Sequence, residues 1–157
     1  MFLPSLLSPP PWPSLQPLLA PVLAHLAHLP PPTLVHLAAA LAALALGPFA
    51  LASGRRLRPS RAWHRLLGLA WVGAMLAVAV SAAFLREPRL PNLGGLTPVH
   101  LLVPATLAGL ALALRRLAHG DVAGHRRWML RLYVGACLVT GGLTLLRIVG
   151  QRALGLP

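Results

Sequence analysis

Four histidines set the chemistry open to this sequence. His36 and His100 each open a long apolar run, whereas His64 and His125 each precede one and are followed by an arginine, Arg65 and Arg126. Imidazole both titrates near neutrality and ligates metals through an unprotonated nitrogen. The chain has only two acids, Glu87 and Asp121, and lacks Gly-x-Ser-x-Gly, His-Glu-x-x-His and Cys-x-x-Cys-His. No nucleophile–base set, zinc-hydrolase helix or covalent haem attachment can therefore be assembled. Coordination by paired histidines remains. His25 and His28 stand i, i+3 without a third ligand, and His119 lies in a polar turn, so neither competes as a centre. The one cysteine, Cys137, forms no intrachain disulfide.

The elements that must position these histidines are membrane spans. The chain of 157 residues is 57% hydrophobic and 10% charged, with a mean hydropathy of +0.72, more apolar than a water-facing surface allows. Residues 1–32 form a Pro-rich, uncharged leader without the basic start and cleavage site of a signal peptide. A short helix is expected there around 18–29, and Pro30 to Pro32 stop whatever precedes them. A transmembrane domain follows over residues 33–152, with helices predicted at about 33–52, 63–85, 97–118 and 128–149 and a tail over 153–157. The fourth has the shortest charge-free core, from Leu132 to Leu146; Arg131 and Arg147 at its two ends extend it by snorkelling.

Arginine placement sets the orientation. The net charge is +12, and the loops after the first and third spans carry Arg55, Arg56, Arg58, Arg61 and Arg65, and Arg115, Arg116, Arg126, Arg127 and Arg131. The other flanks hold Arg86, Arg89, Arg147 and Arg152. Ten against four places the first set in the cytoplasm and both termini outside, in a bacterial inner membrane. Arginines confined between apolar runs offer no continuous basic face, which excludes nucleic-acid binding.

The halves repeat in parallel. Thr33-Leu34-Val35-His36-Leu37 is answered by Thr97-Pro98-Val99-His100-Leu101, His64-Arg65 by His125-Arg126, and Trp71-Val72-Gly73 by Tyr133-Val134-Gly135. The fold class is thus all-α: an up-down four-helix bundle built from a two-helix repeat. Helices one and three are diagonal in such a bundle, as are two and four. His36 with His100 and His64 with His125 then span the core at two levels roughly 20–25 Å apart. That spacing suits two b-type haems, each with its iron held by two histidines, near opposite faces. Arg65 and Arg126 are candidates for the inner propionates, although positive-inside charge explains them equally. Glycines such as Gly47, Gly109 and Gly135 either make room for macrocycles or serve close helix packing.

These motifs carry a resemblance. His36, the stretch His64-Arg65-Leu66-Leu67-Gly68-Leu69-Ala70-Trp71, Pro98-Val99-His100-Leu101-Leu102, and Gly120-Asp121 leading to His125-Arg126-Arg127-Trp128-Met129 resemble a bacterial membrane family catalogued as domain of unknown function 2306. Members tend to end the fourth helix with a Pro-Gly-Arg-like element, which Val149-Gly150-Gln151-Arg152 does not match. The family name implies no activity. The layout is also similar to that of cytochrome b561-type proteins, by architecture alone. The expected function is a diheme electron carrier, possessing no hydrolase or transferase chemistry, that serves a redox partner or quinone across the bilayer. The alternatives are a non-catalytic membrane scaffold and a small transporter subunit. The latter is disfavoured because neither acid lies in a span. The sequence assigns no oligomeric state.

Overall fold

The computed structural model describes residues 16–53, 61–86 and 97–155. The leader helix α1 (Gln16–Ala27) carries Pro21 in its interior and ends in a turn in which His28 donates its amide to the His25 carbonyl at 3.2 Å. It belongs to a separate unit from the membrane domain, which starts at Pro31. The prolines from Pro4 to Pro13, and Arg55, Arg56, Arg58, Glu87 and Arg89, lie outside the described residues.

Four apolar spans follow, each long enough to cross a bilayer: Pro31–Ser53, Ala62–Phe84, Val99–Ala118 and Val122–Gln151. The first is α2 (Pro31–Ser53), which starts two residues before the expected boundary. Proline has no amide hydrogen to lose in a first turn, so Pro31 and Pro32 open the helix they were expected to precede. The second is α3 (Arg61–Phe84). The third begins with a 3-10 turn, Pro98–Leu101, and continues as α4 (Leu102–Ala118).

The fourth span departs furthest from expectation. It begins at Val122, six residues before the expected 128, as α5 (Val122–Leu132), widens into a π turn (Tyr133–Val139) and continues as α6 (Thr140–Ala153). Its early start has a local cause. Gly120, at φ 76°, reverses the chain after α4, and Asp121 caps α5 by accepting the Gly124 amide at 2.7 Å.

Neighbours pack in sequence: α2 on α3, α3 on α4, α4 on α5, and α2 again on α5 and the π turn. Contacts between α2 and α3 pair Ser53 with His64, Ala43 with Trp71 and His36 with Val78, an antiparallel register. The ring closes as the up-down bundle expected, with α2 and α4 diagonal. Its core is small: Ala43, Ala50, Trp71, Met75, Leu110 and Leu132. Most other large apolar side chains face outward, as lipid-facing residues must.

One contact closes the bundle. Pro48 lies inside α2 and has no amide hydrogen, so the carbonyl four residues earlier, at Leu44, loses its helical partner. Tyr133 supplies one, its hydroxyl donating to that carbonyl at 3.3 Å. Trp71 donates its indole N–H to the adjacent Ala43 carbonyl at 3.0 Å. The two rings meet α2 at Gly47, where a Cβ would collide with the Tyr133 ring and lie 3.2 Å from the Trp71 nitrogen. Gly109 likewise receives Leu132, whose Cδ2 would be 2.8 Å from an added Cβ. These two glycines are close-packing sites already filled by side chains, while Gly68, Gly73 and Gly135 face open space.

Tyr133→Phe is expected to cost about 1 kcal/mol of unfolding free energy in detergent, by orphaning the Leu44 carbonyl. The cost should nearly vanish in a Pro48→Ala background, where a backbone amide takes over. Equal costs in both backgrounds, measured by denaturant titration, would refute the assignment.

Candidate functional site

His64 and His125, the inner histidines of the expected topology, occupy matching positions. His64 is the fourth residue of α3 and His125 the fourth of α5. Each bonds backwards to the preceding helix of its own half. His125 Nδ1 lies 2.9 Å from the Ala113 carbonyl. A carbonyl only accepts, so Nδ1 carries a proton and, in the neutral ring, Nε2 keeps its lone pair. His64 Nδ1 lies 2.8 Å from Ser53 Oγ, whose own hydrogen is given to the Ala50 carbonyl at 2.9 Å. The serine therefore accepts, and His64 too is protonated on Nδ1. His64 is exposed and His125 half-buried.

The outer histidines do not match. His36 is the sixth residue of α2 and His100 the third of a 3-10 turn, because α2 starts earlier than the repeat implies. His36 Nδ1 lies 3.2 Å from both the Val78 carbonyl and Ser81 Oγ. Ser81 donates to the Ala77 carbonyl at 2.6 Å, so His36 is again the donor and its Nε2 is unprotonated. His100 differs. Its Nδ1 accepts the Thr97 amide at 3.0 Å, and its Nε2 donates to the Leu85 carbonyl at 2.8 Å. It reaches back to the amide that starts its own turn, as Glu or Gln does in a capping box.

Both outer histidines thus dock on the C-terminal end of α3, at Val78/Ser81 and at Leu85, about 10 Å apart along its axis. A bis-histidine iron takes one unprotonated nitrogen from each ligand. In the neutral ring His36, His64 and His125 offer one, each with its other nitrogen anchored by a hydrogen bond that orients the ring. His100, with both nitrogens spent, does not. Among the described residues no group of three or more His, Cys, Asp or Glu gathers as a metal site.

The chain matches, over residues 33–153, a family described as predicted membrane proteins, DUF2306. It belongs to that family. No curated protein and no solved structure matches it. The DUF2306 match starts at Thr33 and takes in all four candidate histidines as well as both arginine-rich segments, leaving out α1.

Sequence reasoning singled out Arg65 and Arg126, and both are exposed. It passed over a second cluster at the same end of this DUF2306 protein. Arg116, Gly124, Arg127, Trp128 and Arg131 line a pocket of about 160 Å³. Arg116 pairs with Asp121 at 2.7 Å, and Arg131 lies over the Trp128 ring at 5.3 Å. The spacing was the available signal: 124, 127, 128 and 131 are i, i+3, i+4 and i+7, one helical stripe.

The Arg116 hydrogen bond, then the Gly124 amide, hold the Asp121 carboxyl below its ordinary value. A lowered carboxyl pKa contributes stability at neutral pH that disappears as pH falls through the folded-state value. Asp121→Asn should therefore melt at lower temperature than wild type from about pH 7 to 5, with the gap closing below about pH 4. Melting curves in detergent that stay parallel down to the acid limit would contradict this.

Proposed function

We propose that this membrane protein is a b-type electron carrier, holding haem between His64 and His125 at its arginine-rich end and between His36 and His100 at the other. The reading is carried by one observation: Nδ1 of three of the four histidines faces an acceptor, a carbonyl for His125 and His36 and for His64 a serine hydroxyl whose hydrogen is given elsewhere, which leaves the Nε2 lone pair to the neutral ring. Bound haem would supply one-electron chemistry at the potential its ligands and surroundings set. The chain's own residues do the rest. The Ala113 carbonyl and Ser53 hydroxyl orient the inner imidazoles and raise their basicity. Arg65 and Arg126 are placed in sequence to meet propionates. With the arginine-rich end in the cytoplasm, electrons would pass between a partner or quinone on one face and an acceptor on the other.

The inner pair supports this reading more directly than the outer, where His100 must release Leu85 before it can ligate. The second reading, a scaffold whose histidines stitch helices together, is favoured by that same closed His100.

A reduced-minus-oxidised spectrum with haem quantification separates the two. Two haems per chain are expected, falling to one in His64→Ala or His125→Ala and to one in His100→Ala. Purified protein lacking a Soret band after expression with ample haem supply would leave the stitching reading. One haem indifferent to His100→Ala would confine ligation to the inner pair.

A further inference from the structure

The pocket between α4 and α5 is a second candidate site, independent of haem. Gly124, Arg127, Trp128 and Arg131 form one stripe of α5, and Arg116 at the end of α4 closes it. Gly124 is required for that closure. An added Cβ would overlap the Asp121 carboxylate and lie 2.5 Å from Arg116 Cδ, so the bare backbone lets the arginine chain lie across the helix. Arg116 is neutralised by Asp121, but Arg127 and Arg131 form no salt bridge among the described residues. The pocket therefore holds a net positive charge. Two guanidinium forks beside an indole suit a tetrahedral oxyanion.

Depth decides which anion. Arg131 directly precedes Leu132, where the charge-free core of the fourth span begins, and Trp128 stands a turn before it. Arginine and tryptophan at that level belong to the headgroup layer rather than to bulk water. Leu114 and Leu117, exposed on the last turns of α4 around Arg116, offer apolar surface on the bilayer side. Arg126 is one residue, or 100° of helix rotation, off the stripe and does not line the pocket.

We propose that this pocket binds the phosphodiester headgroup of an anionic phospholipid, with Arg127 and Arg131 as its principal ligands and Trp128 as its interfacial wall. The site anchors the arginine-rich end of the α4–α5 hairpin to the charged leaflet.

The test is native mass spectrometry of the full chain in detergent, titrated with phosphatidylglycerol, phosphatidylcholine, glycerol phosphate or inorganic phosphate. One retained phosphatidylglycerol is expected, with no comparable retention of phosphatidylcholine. Arg127→Gln/Arg131→Gln should weaken retention by roughly tenfold or more, given about fivefold per arginine at a charged surface. Arg115→Gln, which removes one charge from an exposed residue beside the pocket without touching its lining, should leave retention unchanged and serves as the folding control. Arg127→Lys/Arg131→Lys should fall between, since charge remains while the fork is lost. Equal losses in Arg115→Gln and in Arg127→Gln alone, one charge each, would reduce the effect to diffuse charge and overturn the site. Inorganic phosphate or glycerol phosphate displacing the lipid at equal concentration would overturn the lipid assignment in favour of a soluble phosphate ligand.

Discussion

A helix crossing lipid cannot leave a carbonyl unpaired, and Pro48 leaves one at Leu44. In water such a break is mended by solvent; inside a bilayer only another part of the protein can do it. The phenol of Tyr133 does so from 89 residues away. The demand is specific in direction, because the donor must arrive over Gly47, the one position there where α2 presents no side chain. Trp71 uses the same opening from the other side. The fourth span is held against the first at this point, and the depth of each histidine is set relative to it. A carbonyl orphaned by proline thus does what a larger apolar core does in a soluble bundle, which matters where lipid tails are as apolar as leucine.

The repeat explains why two aromatics converge there and also why one helix is distorted. From His64 to Trp71 is seven residues (71 − 64), but from His125 to Tyr133 is eight (133 − 125). An α-helix carrying one extra residue rotates everything beyond it by 100°. The π turn over Tyr133–Val139 widens the helix just there, and Thr140 closes it by donating its hydroxyl to the Gly135 carbonyl at 3.0 Å. Beyond the insertion the repeat resumes, with Trp71-Val72-Gly73-Ala74-Met75-Leu76 answered by Tyr133-Val134-Gly135-Ala136-Cys137-Leu138. Met75 and Cys137, equivalent in that alignment, meet with their sulfurs 3.6 Å apart. Equivalent residues touching is what a parallel repeat with an axis along the membrane normal produces.

Much of this was legible in the residues. Four apolar runs, their order, the two-helix repeat and the matched inner histidines all follow from hydropathy and spacing, because lipid imposes length and period directly on sequence. Three things were not read from those signals. Hydropathy undercounts a span whose first turns carry arginine, so the first six residues of α5 read as loop although the Asp121 cap marks its start. The closing hydrogen bond of Tyr133 depends on which face of α2 is bare, a property of three dimensions. The arginine stripe of α5 was hidden by reading charges per loop instead of per helical face. Positive-inside counting treats Arg126, Arg127 and Arg131 as equals, whereas helix geometry separates the first from the other two.

The outer level is where the symmetry of the two halves fails, and the failure has a chemical origin. Carried on from Trp71 and Tyr133, the alignment sets Ser81 against Leu143. Ser81 is the hydroxyl that receives His36, and leucine offers His100 nothing of the kind. The segment that should have received it is also undocked. Residues 141–149 of α6 are exposed on every side, and only 6% of the fourth span's apolar window is buried, against 22% for each of the others. His100 is left with its own turn and the carbonyl that ends α3, and takes both. A histidine closed this way gains two hydrogen bonds and loses its lone pair. Any ligand competing for His100 must therefore offset a cap and a helix-end contact, which none competing for the inner pair has to do. The two ends of the bundle are consequently unequal in chemistry although nearly equal in sequence: His64 and His125 each spend one ring nitrogen on the preceding helix, and His100 spends both.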